Sequence, residues 1–307
     1  METMIITRST AENEAPWRFV IEPSEVDEMM KELGLSSVME LLPTLVPAAK
    51  KMARTPISRF HVGAVGLGES GRIYLGVNLE FPGLPLHHSV HAEQFLITNA
   101  ISHKERRIRC IAVSAAPCGH CRQFMQEIRN ASEIEILITG SESGSEFRPL
   151  SSFLPEPFGP PDLLRDDVPL LLEPHDNHFE MIEMCDEIGG AARNVRLAAE
   201  KGAREAHAPY TGCPAGFAVV DREGRVAGGA YAESAAYNPG MGPTAAAMVA
   251  FVMAGGGDWE EIEEAALVEK EDALVSQEGT ARLLLAAIAP KARLRVYHYR
   301  TSDADEL

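Results

Sequence analysis

Two short motifs concentrate the reactive side chains of this chain. His91-Ala92-Glu93 is followed, twenty-four residues after its glutamate, by Pro117-Cys118-Gly119-His120-Cys121. Together they offer an imidazole, two thiols and a carboxylate. A zinc ion held by His91, Cys118 and Cys121 would keep its fourth tetrahedral position open, which distinguishes a catalytic from a structural zinc site. The open position would take water, and Glu93, two residues from a ligand, is placed to move protons on it. The chemistry expected is therefore hydrolytic: activated water as nucleophile and one carboxylate as proton carrier.

The elements that must position these groups are helix starts. Ser89 reads as an N-cap, and Gln94 to Ile101 carries apolar residues at helical spacing, so His91 and Glu93 are expected in a first turn. Pro117 suits the first position of a second helix, with Cys118 and Cys121 spaced i, i+3 on one face. Two helix N-termini facing the metal would favour thiolate over thiol. Two other readings compete. A C-x-x-C segment is also a thiol-disulfide redox motif, but that leaves His91-Ala92-Glu93 unexplained and puts Pro117 where such oxidoreductases usually have tryptophan. A nonenzymatic binding protein with a structural zinc would make Glu93 superfluous.

These residues carry a family resemblance. His91-Ala92-Glu93, the run Ala116-Pro117-Cys118-Gly119-His120-Cys121-Arg122-Gln123-Phe124-Met125 and Gly76-Val77-Asn78-Leu79-Glu80-Phe81 resemble cytidine deaminases of the large, two-domain, homodimeric type. Leu154-Pro155-Glu156-Pro157-Phe158-Gly159-Pro160 and Tyr231 to Pro239 extend the likeness over nearly the whole chain. It implies an α/β fold, a duplicated cytidine-deaminase-like α/β/α domain whose central mixed sheet is flanked by helices, after a small N-terminal helical segment. It implies one zinc ion per chain, no other cofactor, and hydrolysis of cytidine and deoxycytidine to uridine and deoxyuridine plus ammonia, in pyrimidine salvage. Glu93 would take a proton from water, return it to N3 and later protonate the leaving nitrogen. By the same resemblance Asn78 and Glu80 hold the ribose 3′-hydroxyl, Phe60 stacks on the pyrimidine, Ala92 contacts the substrate, and Phe158 of the partner subunit closes the pocket. Another amino-heterocycle, or cytosine in polynucleotide, remains an alternative substrate.

Some of these assignments have independent grounds. Asn78 and Glu80, two apart on an expected strand, share a face, as any exposed strand pair would. Phe60, expected on the preceding strand, could equally be a core phenylalanine. His120 and Arg122 lie beside the ligands, where His120 is available for a hydrogen bond that supports the site and Arg122 could donate to a thiolate. His87 and His88 read as surface histidines. Net charge is −17, the wrong sign for a protein that grips phosphates, which points to a free nucleoside rather than nucleic acid. Lys104-Glu105-Arg106-Arg107, the densest basic cluster, reads as a solvated helix end. Only Met4, Ile5 and Ile6 precede the first charges as an apolar stretch, and no run is long enough for a membrane span, so a cytoplasmic enzyme is expected. Cys110, Cys185 and Cys213 are an odd remainder that argues against a disulfide framework. Ala304-Asp305-Glu306-Leu307 resembles a retention signal but reads as a solvated acidic tail.

The second half repeats the first. Slid back by 153 positions, Pro209 meets Pro56, Gly216 meets Gly63, Gly224-Arg225 meets Gly71-Arg72, Gly229 meets Gly76 and Glu233 meets Glu80. Phe60 falls on Cys213, Asn78 on Tyr231, and His91-Ala92-Glu93 on Thr244-Ala245-Ala246, so the second copy lacks the ligands and the acid. The persistence of Glu233 hints at a partly structural role for Glu80. Four segments follow: a helical lead-in over 1–50 with a Ser24/Asp27 capping box, a catalytic domain over 51–150, a linker and dimer-contact segment over 151–185, and a noncatalytic copy over 186–307. Gly66-Leu67-Gly68-Glu69-Ser70-Gly71 matches a dinucleotide-binding pattern, but strand-like Arg72 to Leu79 follows it where a helix should, so it reads as a hairpin turn.

Overall fold

The computed structural model describes residues 18–140, 146–182 and 189–301; Met4 to Ile6, Cys185 and the Ala304 to Leu307 tail lie outside the described residues. The chain forms two compact units. One holds the described residues up to Glu80 together with Ser89–Gly159; the other holds Phe81–His88 and the described residues from Pro160 onward.

The first unit contains β1 (Val20–Ile21), α1 (Pro23–Leu33), α2 (Val38–Lys51), β2 (Gly63–Gly68), β3 (Ile73–Val77), α3 (Ala92–Ser102), β4 (Ile108–Val113), α4 (Gly119–Phe124), β5 (Glu135–Ile138) and β6 (Arg148–Pro149). Its strands form a mixed sheet in the order β1-β3-β2-β4-β5-β6, with only the β4/β5 pair parallel. Parallel neighbours need a crossover, and α4 supplies it. β2 and β3 are buried along their whole length, as strands covered on both faces must be. Gly63 abuts Val46 and Lys50 of α2, and Gly66 abuts Leu96 of α3. Three residues apart on a strand means opposite faces, so α2 and α3 sandwich the sheet. The hairpin expectation holds: β2 and β3 pair antiparallel, with Gly71 at φ +83° between them, a turn conformation that suits glycine.

The second unit contains α5 (Pro160–Leu163), β7 (Glu180–Met181), α6 (Ala191–Arg204), β8 (Gly216–Asp221), β9 (Val226–Ala230), α7 (Pro243–Met253), β10 (Ile262–Lys270), α8 (Glu278–Ile288) and β11 (Arg293–Arg300). Its sheet runs β7-β11-β10-β8-β9, again with one parallel pair, β10/β11. Val195, Ala199 and Ala203 of α6 pack with Ala218, Val220, Ala266, Val268 and Tyr299 of the sheet.

The units repeat one design, with two differences from the sequence comparison. First, α2 matches α6 at an offset of 153 and packs on β2 as α6 packs on β8, so the repeated unit begins at residue 38. Second, the 153 register shortens by two after Glu80. Leu79 bridges Val90, whereas Ala232 bridges Met241, and α3 begins at Ala92 while α7 begins at Pro243. His91 and Glu93 therefore correspond to Gly242 and Thr244, not to Thr244 and Ala246. At the N-terminus the capping box of α1 is Glu22 with Glu25, ahead of Pro23, rather than Ser24 with Asp27. Proline at the first helical position costs no hydrogen bond, and the helix starts two residues earlier than expected. No described helix is long and apolar enough to cross a membrane.

Candidate active site and metal centre

Both ligand motifs sit at helix starts, each shifted from its expected place. His91 itself is the N-cap of α3, with extended backbone (φ −84°, ψ 157°), and Ser89 lies outside. Cys118 is the N-cap of α4 (φ −71°, ψ 171°), Pro117 precedes the helix, and Cys121 is its third residue. The Leu79–Val90 bridge brings the chain back to the sheet end just before His91, and the lack of a side chain on Gly76 lets the first turn of α3 close onto β3. Sγ of Cys118 and of Cys121 lie 3.4 and 3.3 Å from Nδ1 of His91, and 3.7 Å from each other. Zinc bond lengths give a tetrahedron with edges of about 3.8 Å between two sulfurs and about 3.5 Å between sulfur and nitrogen. The three donors thus already outline one face of a zinc tetrahedron, and they form the one histidine-cysteine-carboxylate group of ligand geometry among the described residues. The rings of His87 and His88 lie 4.4 Å apart, tilted against each other, in the segment that belongs to the second unit.

Hydrogen bonds from the Cys121 thiol and the His91 ring pull the Cys118 thiol down to about 3, and the same bond with burial pushes Cys121 up. Both sulfurs must be deprotonated to hold a cation, so metal binding would displace the Cys121 proton. Glu93, the second residue of α3, is 5% exposed. Burial pushes its pKa above the ordinary carboxylate range, against the opposing pull of its own backbone N–H and of His91.

The pocket residues expected from sequence lie where β3 gives way to the loop before β2. Phe60 is in that loop, not on a strand, and is 60% exposed, so it is no core phenylalanine. Asn78 accepts from the Val62 N–H at 2.8 Å and donates to the Phe60 carbonyl at 2.9 Å, tying the loop to the end of β3. Glu80 accepts from the N–H groups of Ile57 (2.8 Å) and Ser58 (2.9 Å) and from the Ser58 hydroxyl. Burial alone would raise its pKa, but these donors outweigh it and hold the carboxyl below the ordinary range. Glu233 makes the same set with Tyr210 N–H, Thr211 N–H and the Thr211 hydroxyl. Glu80 is thus a loop clamp shared by both units, with one acceptor position left for a ligand; the Asn78 clamp exists in the first unit alone. Ala92 is fully buried, its carbonyl against Gly76. Phe158 is 47% exposed, and its carbonyl accepts from Gln123 of α4. Its proline-rich segment is irregular up to Gly159, and a single helical turn starts at Pro160.

Two family models, both described as the cytidine and deoxycytidylate deaminase zinc-binding region, match residues 37–137 and 150–282. This chain belongs to the cytidine deaminase family. Cytidine deaminase 1 of Arabidopsis thaliana is 53% identical over 293 residues, covering 91% of this chain and 97% of that protein. Cytidine deaminase of Proteus mirabilis is 39% identical over 257 residues, covering 84% and 82%. Among solved structures, a cytidine deaminase from Mycobacterium tuberculosis is similar at 29% identity and TM-score 0.35, covering 39% of this chain and 97% of that one. The first match starts at Ser37, the cap of α2, in agreement with the structural start of the repeat. Zinc is the cofactor this deaminase family requires, and a histidine with two cysteines is a donor set that suits it.

Three site features were not read from sequence. Ser58 escaped notice because a serine two residues before an aromatic has no signature until Glu80 is known to turn toward it. Gln94 could have been found, since glutamine at the third position of a helix commonly reaches back to the cap. Arg122, expected beside a thiolate, instead donates to the carbonyls of Pro117 (2.7 Å) and Phe153 (2.9 Å), fastening α4 to the segment that leads to Phe158.

Proposed function

We propose that this chain hydrolyses the 4-amino group of cytidine and deoxycytidine, with His91, Cys118 and Cys121 holding zinc and Glu93 carrying the protons. The observation that supports it most is the triangle of one nitrogen and two sulfurs with tetrahedral edges, beside a buried carboxylate that no metal site needs as a ligand. When bound, zinc supplies Lewis acidity that makes water a nucleophile near neutral pH. Glu93 takes one proton from that water as its oxygen attacks C4, and passes the proton to N3. The second proton of the water reaches the exocyclic nitrogen through Glu93, the C4–N bond breaks, and ammonia leaves with uridine as the other product. Burial of Glu93 favours its protonated form, which suits a group that must give back what it takes. Phe60, exposed and held by Asn78, offers its ring to the pyrimidine, and the remaining acceptor of Glu80 suits the ribose hydroxyl.

The test is the ultraviolet absorbance change of cytidine with purified protein, with and without a chelator, beside Glu93→Ala and with adenosine as control. Conversion that needs both zinc and Glu93, and spares adenosine, is expected. Protein that holds zinc yet leaves cytidine intact would reassign the substrate to another amino-heterocycle.

A homodimer, cytoplasmic residence and a role in pyrimidine salvage belong to the same proposal, with the acidic charge of −17 keeping the site for free nucleosides. Phe158 is half-exposed on a segment anchored to α4, which supports a role in closing a pocket across a dimer. Phe158→Ala is expected to raise KM for cytidine about tenfold, the effect of one lost aromatic contact, with kcat little changed. Unaltered kinetics would remove Phe158 from the pocket.

A further inference from the structure

We propose that Gln94 and His120 form a brace that holds the two ligand-bearing helix starts at the spacing the metal needs, which makes both of them positioning residues for metal retention. The inference rests on the metal assignment above. Gln94 is the third residue of α3 and is 4% exposed. The backbone N–H of His91 donates to its Oε1 at 3.2 Å. That bond sets the orientation of the amide, because the oxygen must face the donor, and it turns the NH2 group the other way. There Nε2 lies 3.1 Å from Nε2 of His120. An amide NH2 can only donate, so the ring nitrogen accepts. His120 lies between Cys118 and Cys121 on α4, with its ring 5.9 Å from the His91 ring. One side chain therefore connects the residue that carries the imidazole ligand to the residue between the two thiol ligands.

Helix capping explains only half of this. A glutamine at the third position reaches back to the cap in many helices, and that would require the His91 N–H and nothing from α4. The second unit separates the two roles. Its α7 has Ala245 at the position of Gln94, and the first turn of α8 is Glu278-Gly279-Thr280-Ala281, with neither histidine nor cysteine. The Glu233 clamp and the close approach at Gly229 survive there. Features that hold the fold are present in both units, whereas the Gln94–His120 pair is present where the ligands are and absent where they are absent.

The experiment measures the rate at which zinc passes from the full-length protein to an excess of a metallochromic chelator. Wild type is compared with Gln94→Ala, His120→Ala and the double variant, with zinc content and circular dichroism of each. Both single variants are expected to release zinc about 10- to 100-fold faster, the usual penalty for losing a group that orients a ligand. The double variant should be no faster than the faster single, as for one unit. His120 is half-exposed, so His120→Ala reads the brace even if the buried Gln94→Ala variant folds poorly. Release from His120→Ala at the wild-type rate would overturn the proposal and leave Gln94 as a helix cap; so would a double variant whose effects multiply. Wild-type protein without zinc would instead overturn the metal assignment itself.

Discussion

Glu93→Gln is expected to keep its zinc and lose about 10⁴-fold in kcat, the upper end for general acid–base catalysis because one carboxylate serves more than one proton transfer. The amide has the shape of the acid and makes no new clash in a pocket that leaves Glu93 5% exposed. It cannot accept a proton from water or return one to N3. Substrate binding should change little, so the loss falls on kcat rather than KM, which marks an interaction made in the transition state. Stability should not fall, because the substitution removes a carboxyl whose ionised form is penalised by burial. Steady-state kinetics beside zinc content settle the matter: turnover within tenfold of wild type would refute the role given to Glu93.

Gly76→Ala and Gly229→Ala are expected to destabilise their own units by about 3 kcal/mol or more, at or beyond the upper end for overpacked sites. A Cβ on Gly76 would lie 2.7 Å from the Leu96 nitrogen and closer still to the Ala92 carbonyl oxygen. On Gly229 it would lie 2.6 Å from the Pro243 carbonyl oxygen, with the Ala247 nitrogen closer still. These obstacles are backbone atoms of a helix's first turn, and no rotamer change removes them. The turn displaced in Gly76→Ala carries His91 and Glu93, so this variant should also shed zinc. Denaturant midpoints and zinc content provide the check; a Gly76→Ala protein with wild-type values for both would mean that α3 can stand off from β3 at no cost.

How much of this was legible in the sequence depended on whether chemistry or packing set a residue's place. His91, Cys118 and Cys121 announced themselves by residue type and spacing, and the structure brings their donor atoms together. The helix starts were read two residues off. Serine and proline are good local signals, but at this site the ligands themselves take the extended cap positions, where tertiary geometry overrides preference. Phe60 was expected on the strand that precedes Asn78 and Glu80. The ladder stops short of it because the Val62 N–H is taken by the side chain of Asn78, a partner that periodicity cannot show. The two-residue shortening before α7 was hidden because every match that supports the ungapped register, from Pro209 to Glu233, lies before the loop that changes length. Glu80 was the instructive intermediate case: its persistence as Glu233 pointed to structure, and the three loop donors explain why.

The donor set of the metal centre has a consequence for charge balance. A divalent cation with two thiolates and a neutral imidazole would sum to zero, so the pocket's uncompensated charges would be the carboxylates of Glu93 and of Glu80, whose loop partners are neutral donors. When Glu93 takes a proton from water its charge passes to the attacking oxygen, and when that proton reaches N3 the carboxylate is restored beside a neutral adduct, so no net charge enters a buried space. A substrate bearing its own anionic group would add a further negative charge to these carboxylates from the first encounter.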